Sequence, residues 1–464
     1  MKNYPRVMLA AGSSGSGKTM ITCGILQALK NRGLKVTSFK CGPDYIDPMF
    51  HEKVIHTRSG NLDTFFAGEE LTRYLFCKNA VDSDISVMEG VMGYYDGLGG
   101  FSVQASACDL AEVTNTPVIL VVNTRGMSLS VLAYIKGFLT FREPTRICGV
   151  ILNQLSPMLY PKMKEAIEKE LGIPVCGYVP RMEDCSLESR HLGLVLPQEV
   201  AQLSEKLQHI AEVLEDTLDL DQILEIGREA GEVGSFEQAE KEMDQFLSLA
   251  AKERQSKPTL RIAVSKDEAF CFIYEANMQL LREMGVELIP FSPIHDTAIP
   301  AADGVLFYGG YPELFAKELS ENEKMRQDVK EKLAEGLPCM AECGGFMYLH
   351  QTMEDMEGNS WPMAGVIDGT AYRTKKLGRF GYIELERAEE PKEGCRLKGH
   401  EFHYFDSTSC GESYLAKKPL SSRSWRCIHE TETLMAGFPH LYYYASPEFI
   451  LKFLKKCRKY QETK

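Results

Sequence analysis

The stretch RVMLAAGSSGSGKT, Arg6 to Thr19, constrains this chain more than any other. A short apolar run ends in G-x-x-x-x-G-K-T, and the amphipathic stretch MITCGILQALKNRG follows at once. Strand, glycine loop and helix in that order form a phosphate cradle. The glycines let backbone N–H groups turn toward an anion, and the start of the helix favours negative charge. The lysine of such a loop reaches the outer phosphates and the hydroxyl after it faces Mg²⁺. Gly12, Ser13, Gly15, Ser16, Gly17, Lys18 and Thr19 are therefore expected to hold ATP with Mg²⁺. A cradle of this kind grows out of a parallel sheet, so the first half of the chain is expected to be α/β.

The sequence around the loop agrees. RVMLAAG, KVTSFKCG, DISVMEG, TPVILVVN and CGVILNQL are near-continuous apolar runs separated by helical patterns, as in strands covered on both faces. A second series opens at LRIAVSKD and continues through VELIPFSP, GVLFYGG and LPCMAECGG, with further strand-like material at GYIELE and GHEFHYF. The chain has 464 residues, more than one core ordinarily supports. Two doubly wound α/β domains are expected, at 1–226 and 259–464. Between them Gly227 to Pro258, charged, poor in β-branched residues and closed by proline, reads as a partly helical linker.

Composition narrows the partners. A net charge of −13 argues against nucleic acid, and no apolar run is long enough to span a membrane. The basic C-terminal KFLKKCRKYQETK reads as a solvated helix. The start lacks the features of an export signal, so a cytoplasmic location is expected and the fourteen cysteines are expected to be reduced. No CxxC pair occurs, and on a strand His400 and His403 would point to opposite faces, which disfavours zinc.

Two further clusters carry chemistry. KCGPDYIDP supplies Asp44 and Asp47, and MEGVMGYYDG supplies Glu89 and Asp96, each after a strand. Ligands gather beyond the carboxyl ends of parallel strands, so these carboxylates are expected to converge on the phosphate loop, with Thr19, Asp44 and Glu89 as oxygen ligands of Mg²⁺. In the second half, AECGGFMYL places Cys343 between an apolar strand and a helix, with the small residues a sharp nucleophile turn needs. The helix start is expected to lower the thiol pKa, whereas Cys339 is expected to pack within the strand. Gly309 and Gly310 in DGVLFYGGYPELF could present N–H groups to an oxyanion. A cysteine nucleophile also needs a histidine base, and several lie downstream.

In order along the chain, KCGPDYIDPMFH, GNLDTFF, MEGVMGYYDG, GVILNQL and SRHLGLV resemble the motifs of the cobyrinic acid a,c-diamide synthase family, whose first half is similar to dethiobiotin synthetase. That likeness covers about Arg6 to Leu196. FSPIHD, GGYPEL, ECGGFMYL, LGRFGY and GHEFHYF extend it, from about Leu260 to Ser446, to the family's class I glutamine amidotransferase domain, a flavodoxin-like fold. The resemblance implies a carbon–nitrogen ligase of cobalamin biosynthesis. It would phosphorylate the a- and c-side-chain carboxylates of a tetrapyrrole with ATP·Mg²⁺ and amidate the acyl phosphates with ammonia from L-glutamine. Cobyrinate, hydrogenobyrinate and nickel-sirohydrochlorin are alternative rings, and a homodimer stays open.

The resemblance also implies residue roles. Asp44, Asp47 and Glu89 serve phosphoryl transfer, Asn153 belongs to the nucleotide site, and Asp96, Arg181, Arg190 and His191 face the carboxylate substrate. FPHLYYYASPEF puts the base on His440, ahead of His403, with His400, His429 and His350 weaker. Two positions depart from the family pattern: Asn123 stands where an aspartate is expected, and Tyr442 replaces a histidine. The glutamate that many class I amidotransferases carry two residues after the histidine is absent. The competing reading, a partitioning ATPase of the MinD type, calls for a lysine where this loop has Ser13.

Overall fold

The computed structural model describes residues 3–182, 197–254, 257–389 and 397–464. The chain divides into two compact units, Met1–Glu240 and Lys241–Lys464.

The first unit is built on seven strands: β1 (Arg6–Ala11), β2 (Val36–Cys41), β3 (Arg58–Leu62), β4 (Ile85–Glu89), β5 (Val118–Asn123), β6 (Ile147–Asn153) and β7 (Val175–Val179). They pair in the order β3-β2-β4-β1-β5-β6-β7, all parallel. β1, β2 and β4 are buried at every residue, which is why they read as continuous apolar runs. The chain winds to both sides of β1, and such a reversal opens a crevice at the carboxyl end of the strands. The glycine loop leaves β1 there, and Glu89 closes β4 beside it.

Helix Lys18–Asn31 buries Ile21, Ile25, Leu26 and Leu29 against the sheet. Its Gly24 is a contact point for helix Pro197–Thr217, because a Cβ there would lie 2.5 Å from Leu214 Cδ1. The GNLDTFF motif has a local purpose: the Asp63 side chain accepts hydrogen bonds from the N–H groups of Phe65 and Phe66 and caps helix Thr64–Ala80. The segment read as a linker holds the end of helix Leu220–Arg228 and all of helix Glu237–Arg254, which buries Ala239, Met243, Phe246 and Ala250.

The second unit contains β8 (Arg261–Ser265), β9 (Glu287–Phe291), β10 (Gly304–Phe307), β11 (Cys339–Glu342), β12 (His350–Glu354), β13 (Ser360–Pro362), β14 (Ile367–Arg373), β15 (Arg379–Arg387), β16 (Leu397–His403), β17 (Phe405–Ser407), β18 (Tyr414–Lys417), β19 (Ser424–Cys427), β20 (His429–Glu430), β21 (Leu434–Gly437) and β22 (His440–Leu441). Its main sheet runs β20-β21-β11-β10-β8-β9, parallel except for the β20 edge. Two smaller sheets, β13-β12-β14-β17 and β19-β18-β15-β16-β22, add a mainly antiparallel layer. Cys339 is buried in β11. The terminal helix Pro447–Thr463 buries Ile450, Phe453, Leu454 and Cys457, so it is packed on one face rather than solvated all round. Among the described residues no helix is long and apolar enough to cross a membrane, and the cysteines are free thiols.

Candidate active site

At the phosphate loop Gly17 has φ 89° and a Cβ there would meet Asn153 Nδ2 at 2.4 Å, so both backbone and space require glycine. Asn153, at the end of β6, donates from that Nδ2 to the Ser16 carbonyl at 2.8 Å and holds the loop from outside. Ser13 and Ser16 hydroxyls lie 3.1 Å apart. Tyr134 and Phe138 close against Gly12. Lys18 Nζ donates to the carbonyls of Ser13 at 3.1 Å and Met92 at 2.6 Å. Burial, reinforced by the Lys40 charge, lowers its pKa to about 8.

Behind the loop lies a buried charge cluster whose centre the sequence reading missed. Lys40, in β2, pairs with Asp47 at 2.5 Å and Glu89 at 2.9 Å. Burial opposes its charge, but the two carboxylates outweigh burial and hold the ammonium well above its ordinary pKa. Asp47 is held low by Lys40 despite its own burial, and burial together with Asp47 pushes Glu89 up to about 7. Thr19 Oγ1 donates to Glu89 Oε1 at 2.6 Å. Glu89 Oε2 has no hydrogen-bond partner among the described residues and faces His51 Nε2 at 3.7 Å. The available signal was a lysine inside the strand VTSFKC, where a charge must be paired to be buried.

Thr19 and Glu89 thus meet directly, and Asp47 joins them through Lys40. Asp44 is a step further out: its Oδ1 accepts from the Ile46 N–H at 2.8 Å, and its charge acts on Lys40. Asp96 Oδ2 accepts from the Gly93 N–H at 3.0 Å in the loop after β4, within reach of the Lys18 charge. Asn123 Oδ1 accepts from the Arg125 N–H at 3.0 Å. Arg181 is exposed, and Arg190 and His191 lie outside the described residues. The Thr19 hydroxyl and the Glu89 carboxylate, one of whose buried oxygens is in want of a partner, suit Mg²⁺, which takes few protein ligands and keeps oxygen from water and phosphate for the rest.

In the second unit Cys343 follows β11 with φ 46° and ψ −105°, a backbone state that an L-residue holds only under strain. Its N–H donates to Gly437 O at 2.8 Å and its carbonyl accepts from Met347 at 2.9 Å, which fixes the turn between sheet and helix Gly344–Tyr348. Gly309 ends the neighbouring crossover against both partners of the pair: a Cβ there would lie 2.5 Å from His440 Cε1 and 3.4 Å from Cys343 Cβ. A Cβ on Gly344 would approach the Gly310 N at 3.2 Å, which puts the Gly310 backbone next to the residue that follows the cysteine. The thiol pKa does not follow the sequence expectation. Burial pushes it up, the carboxylates Glu313, Glu401 and Glu342 add to that, and only the Gly344 N–H opposes them. The helix that follows is only five residues long, and burial sets the direction of the shift.

His440 sits on β22, opposite His400 of β16, and the two rings stack at 4.9 Å. Burial, with His400 and His403 nearby, holds His440 well below the usual histidine pKa. His403 is engaged at both nitrogens, with Glu401 Oε2 at 2.9 Å and the Phe405 carbonyl at 2.5 Å, and its ring stacks on Phe438 at 4.0 Å. His350 is likewise engaged by the Phe346 carbonyl and the Ser407 hydroxyl, and His429 contacts the Ser409 carbonyl. Tyr442 packs edge-on against Tyr274. Glu342, the last residue of β11, was missed by sequence reading: its Oε2 lies 3.8 Å from His440 Nδ1.

A phosphate cradle on a parallel sheet and a cysteine–histidine centre on a second one define a nucleotide-binding domain joined to a glutamine amidotransferase domain. Residues 7–195 match the CobQ/CobB/MinD/ParA nucleotide binding domain, and 261–445 match the CobB/CobQ-like glutamine amidotransferase domain. The cobyrinate a,c-diamide synthase of Caldanaerobacter subterraneus subsp. tengcongensis is 41% identical to this chain, over 97% of it and 98% of that protein. That of Listeria innocua is 39% identical over 96% and 98%. The chain belongs to the cobyrinate a,c-diamide synthase family and is a ligase with a glutamine amidotransferase domain.

Proposed function

We propose that the chain uses ATP to activate the a- and c-side-chain carboxylates of a cobyrinate-type tetrapyrrole as acyl phosphates, and amidates them with ammonia taken from L-glutamine. The placement of Cys343 at a strained turn, with His440 packed beside it against Gly309, carries the nitrogen half of this reading. Cys343 Sγ adds to the carboxamide carbon of glutamine while its proton passes to His440. The N–H groups of Gly310 and Gly344 steady the oxyanion, with Gly309 lending the clearance the imidazole needs. The C–N bond then breaks, His440 returns the proton to the departing ammonia, and water releases glutamate from the γ-glutamyl thioester.

In the first unit the loop from Gly12 to Thr19 binds the triphosphate, held from outside by Asn153, and Lys18 leaves its carbonyl partners for the outer phosphates. Thr19 and Glu89, with Asp47 and Asp44 behind them, are the donor set for Mg²⁺, which when bound offsets phosphate charge. Lys40 keeps Asp47 and Glu89 placed and supplies positive charge near the transferring group. A substrate carboxylate oxygen attacks the terminal phosphorus, ADP departs, and ammonia displaces phosphate from the acyl carbon. Asp96, Arg181, Arg190 and His191 are assigned to the substrate side.

The reading is tested by glutamine-dependent ATP turnover with cobyrinate, hydrogenobyrinate and nickel-sirohydrochlorin in turn, with products resolved by mass. Each amide replaces OH with NH₂, a loss of about one dalton. Two successive decrements on one macrocycle are expected, and ATP turnover without any decrement on any of them would overturn the proposal.

A further inference from the structure

The glutamine centre lacks the usual acid behind its histidine, yet a carboxyl is present from a different direction. Glu342 immediately precedes the nucleophile, is 5% exposed, and ends β11 beside β21. Its Oε2 lies 3.8 Å from His440 Nδ1 and accepts from the Leu441 N–H at 3.4 Å, so the carboxyl is tied to the strand that carries the histidine. Its Oε1 has no hydrogen-bond partner among the described residues. A buried carboxyl with an unused oxygen is costly, and one that served only to anchor Leu441 could be replaced by any neutral acceptor.

We propose that Glu342 is the positioning residue of the glutamine centre, accepting a hydrogen bond from His440 Nδ1–H so that the unprotonated Nε2 takes the Cys343 proton. This inference rests on the glutamine chemistry proposed above. The proton leaves Sγ for Nε2, and the imidazolium is offset by the Glu342 carboxylate until ammonia takes that proton away. Separations of this kind commonly shorten when substrate arrives. The same stretch of chain thus delivers orienting acid and nucleophile as neighbours, at the end of β11 and at the sharp turn that follows it.

The groups around the pair define how its pH dependence is read. Tyr308, just after β10, and Tyr443, beyond β22, lie near Glu342, and their hydroxyls join each other at 2.9 Å. His400 and His403 of β16 lie near His440, Lys418 acts on His400, and Glu313 and Glu401 act on Cys343. Burial raises the Glu342 pKa to about 8. Since the carboxylate is the working form, glutamine hydrolysis should rise with pH through that value and fall as pH drops below it.

Glutamine hydrolysis by the full chain is measured from pH 6 to 9.5 for the parent, Glu342→Gln and Glu342→Asp, with thermal melts as the check on folding. Glu342→Gln is expected to lower kcat by roughly ten- to a hundredfold, with KM little changed, and to remove the ionisation near 8. Glu342→Asp should recover part of both. A Glu342→Gln enzyme with the parental kcat and pH profile overturns the inference and leaves the glutamine chemistry standing. A parent that hydrolyses no glutamine at any pH overturns both. Side-chain ¹⁵N spectra of His440 in the parent provide a second test that needs no variant: the Nδ1–H tautomer above pH 8 is expected, and the Nε2–H tautomer overturns the assignment.

Discussion

Lys40 shows how one residue can hold a site together from behind. It is 4% exposed and its ammonium bridges Asp47 and Glu89, so removing it leaves two carboxylates facing each other without a cation. Breaking a buried pair this way costs about 3–5 kcal/mol, more than an exposed pair would. Lys40→Met is therefore expected to lower the melting transition of the first unit and abolish ATP-dependent turnover. Calorimetry and an ADP assay check the two effects, and parental melting in the variant would show that the cluster is not the support it looks to be.

At the scale of elements, legibility in sequence followed locality. TPVILVVN could be read as a fully covered strand because β5 is buried along almost its whole length, and the phosphate loop because strand, loop and helix are contiguous. The second-unit sheets were less legible. β15 alternates only weakly, and the position of His440 depends on β22 pairing with β16, a register no local pattern encodes. Lys40 and Glu342 escaped notice for a related reason: each ends or interrupts an apolar strand, and its partners come from other parts of the chain. Conversely, the thiol pKa was expected from a helix start alone, while burial dominates.

The packing of β12 has its own pH signature. His350 is fully buried between the Phe346 carbonyl and Ser407, and burial lowers its pKa to about 4. The unfolded chain, near 6.5, binds the proton more readily than the folded one. The contribution of this histidine is therefore whole above pH 6.5 and is lost as pH falls toward 4, by up to roughly 3 kcal/mol. Urea midpoints of the second unit should fall between pH 7 and 4.5, and His350→Gln should flatten that slope. An equal slope in the variant would place the acid sensitivity elsewhere.

For the whole molecule, the proposed chemistry separates activation from nitrogen release, and the two should be divisible by experiment. Cys343→Ser is expected to abolish glutamine-dependent amidation while a high concentration of ammonium still supports it. Product mass decides, and amidation no better with ammonium than with no nitrogen source would contradict the two-centre reading. The turn at Cys343 has a wider meaning for such a chain. At φ 46° and ψ −105° the backbone favours glycine, and an L-residue there costs on the order of 1–3 kcal/mol. Folding stability and nitrogen release therefore pull this position toward different residues. A redesign guided by melting temperature alone would write glycine there early, and the thiol would be the first thing such an optimisation erased.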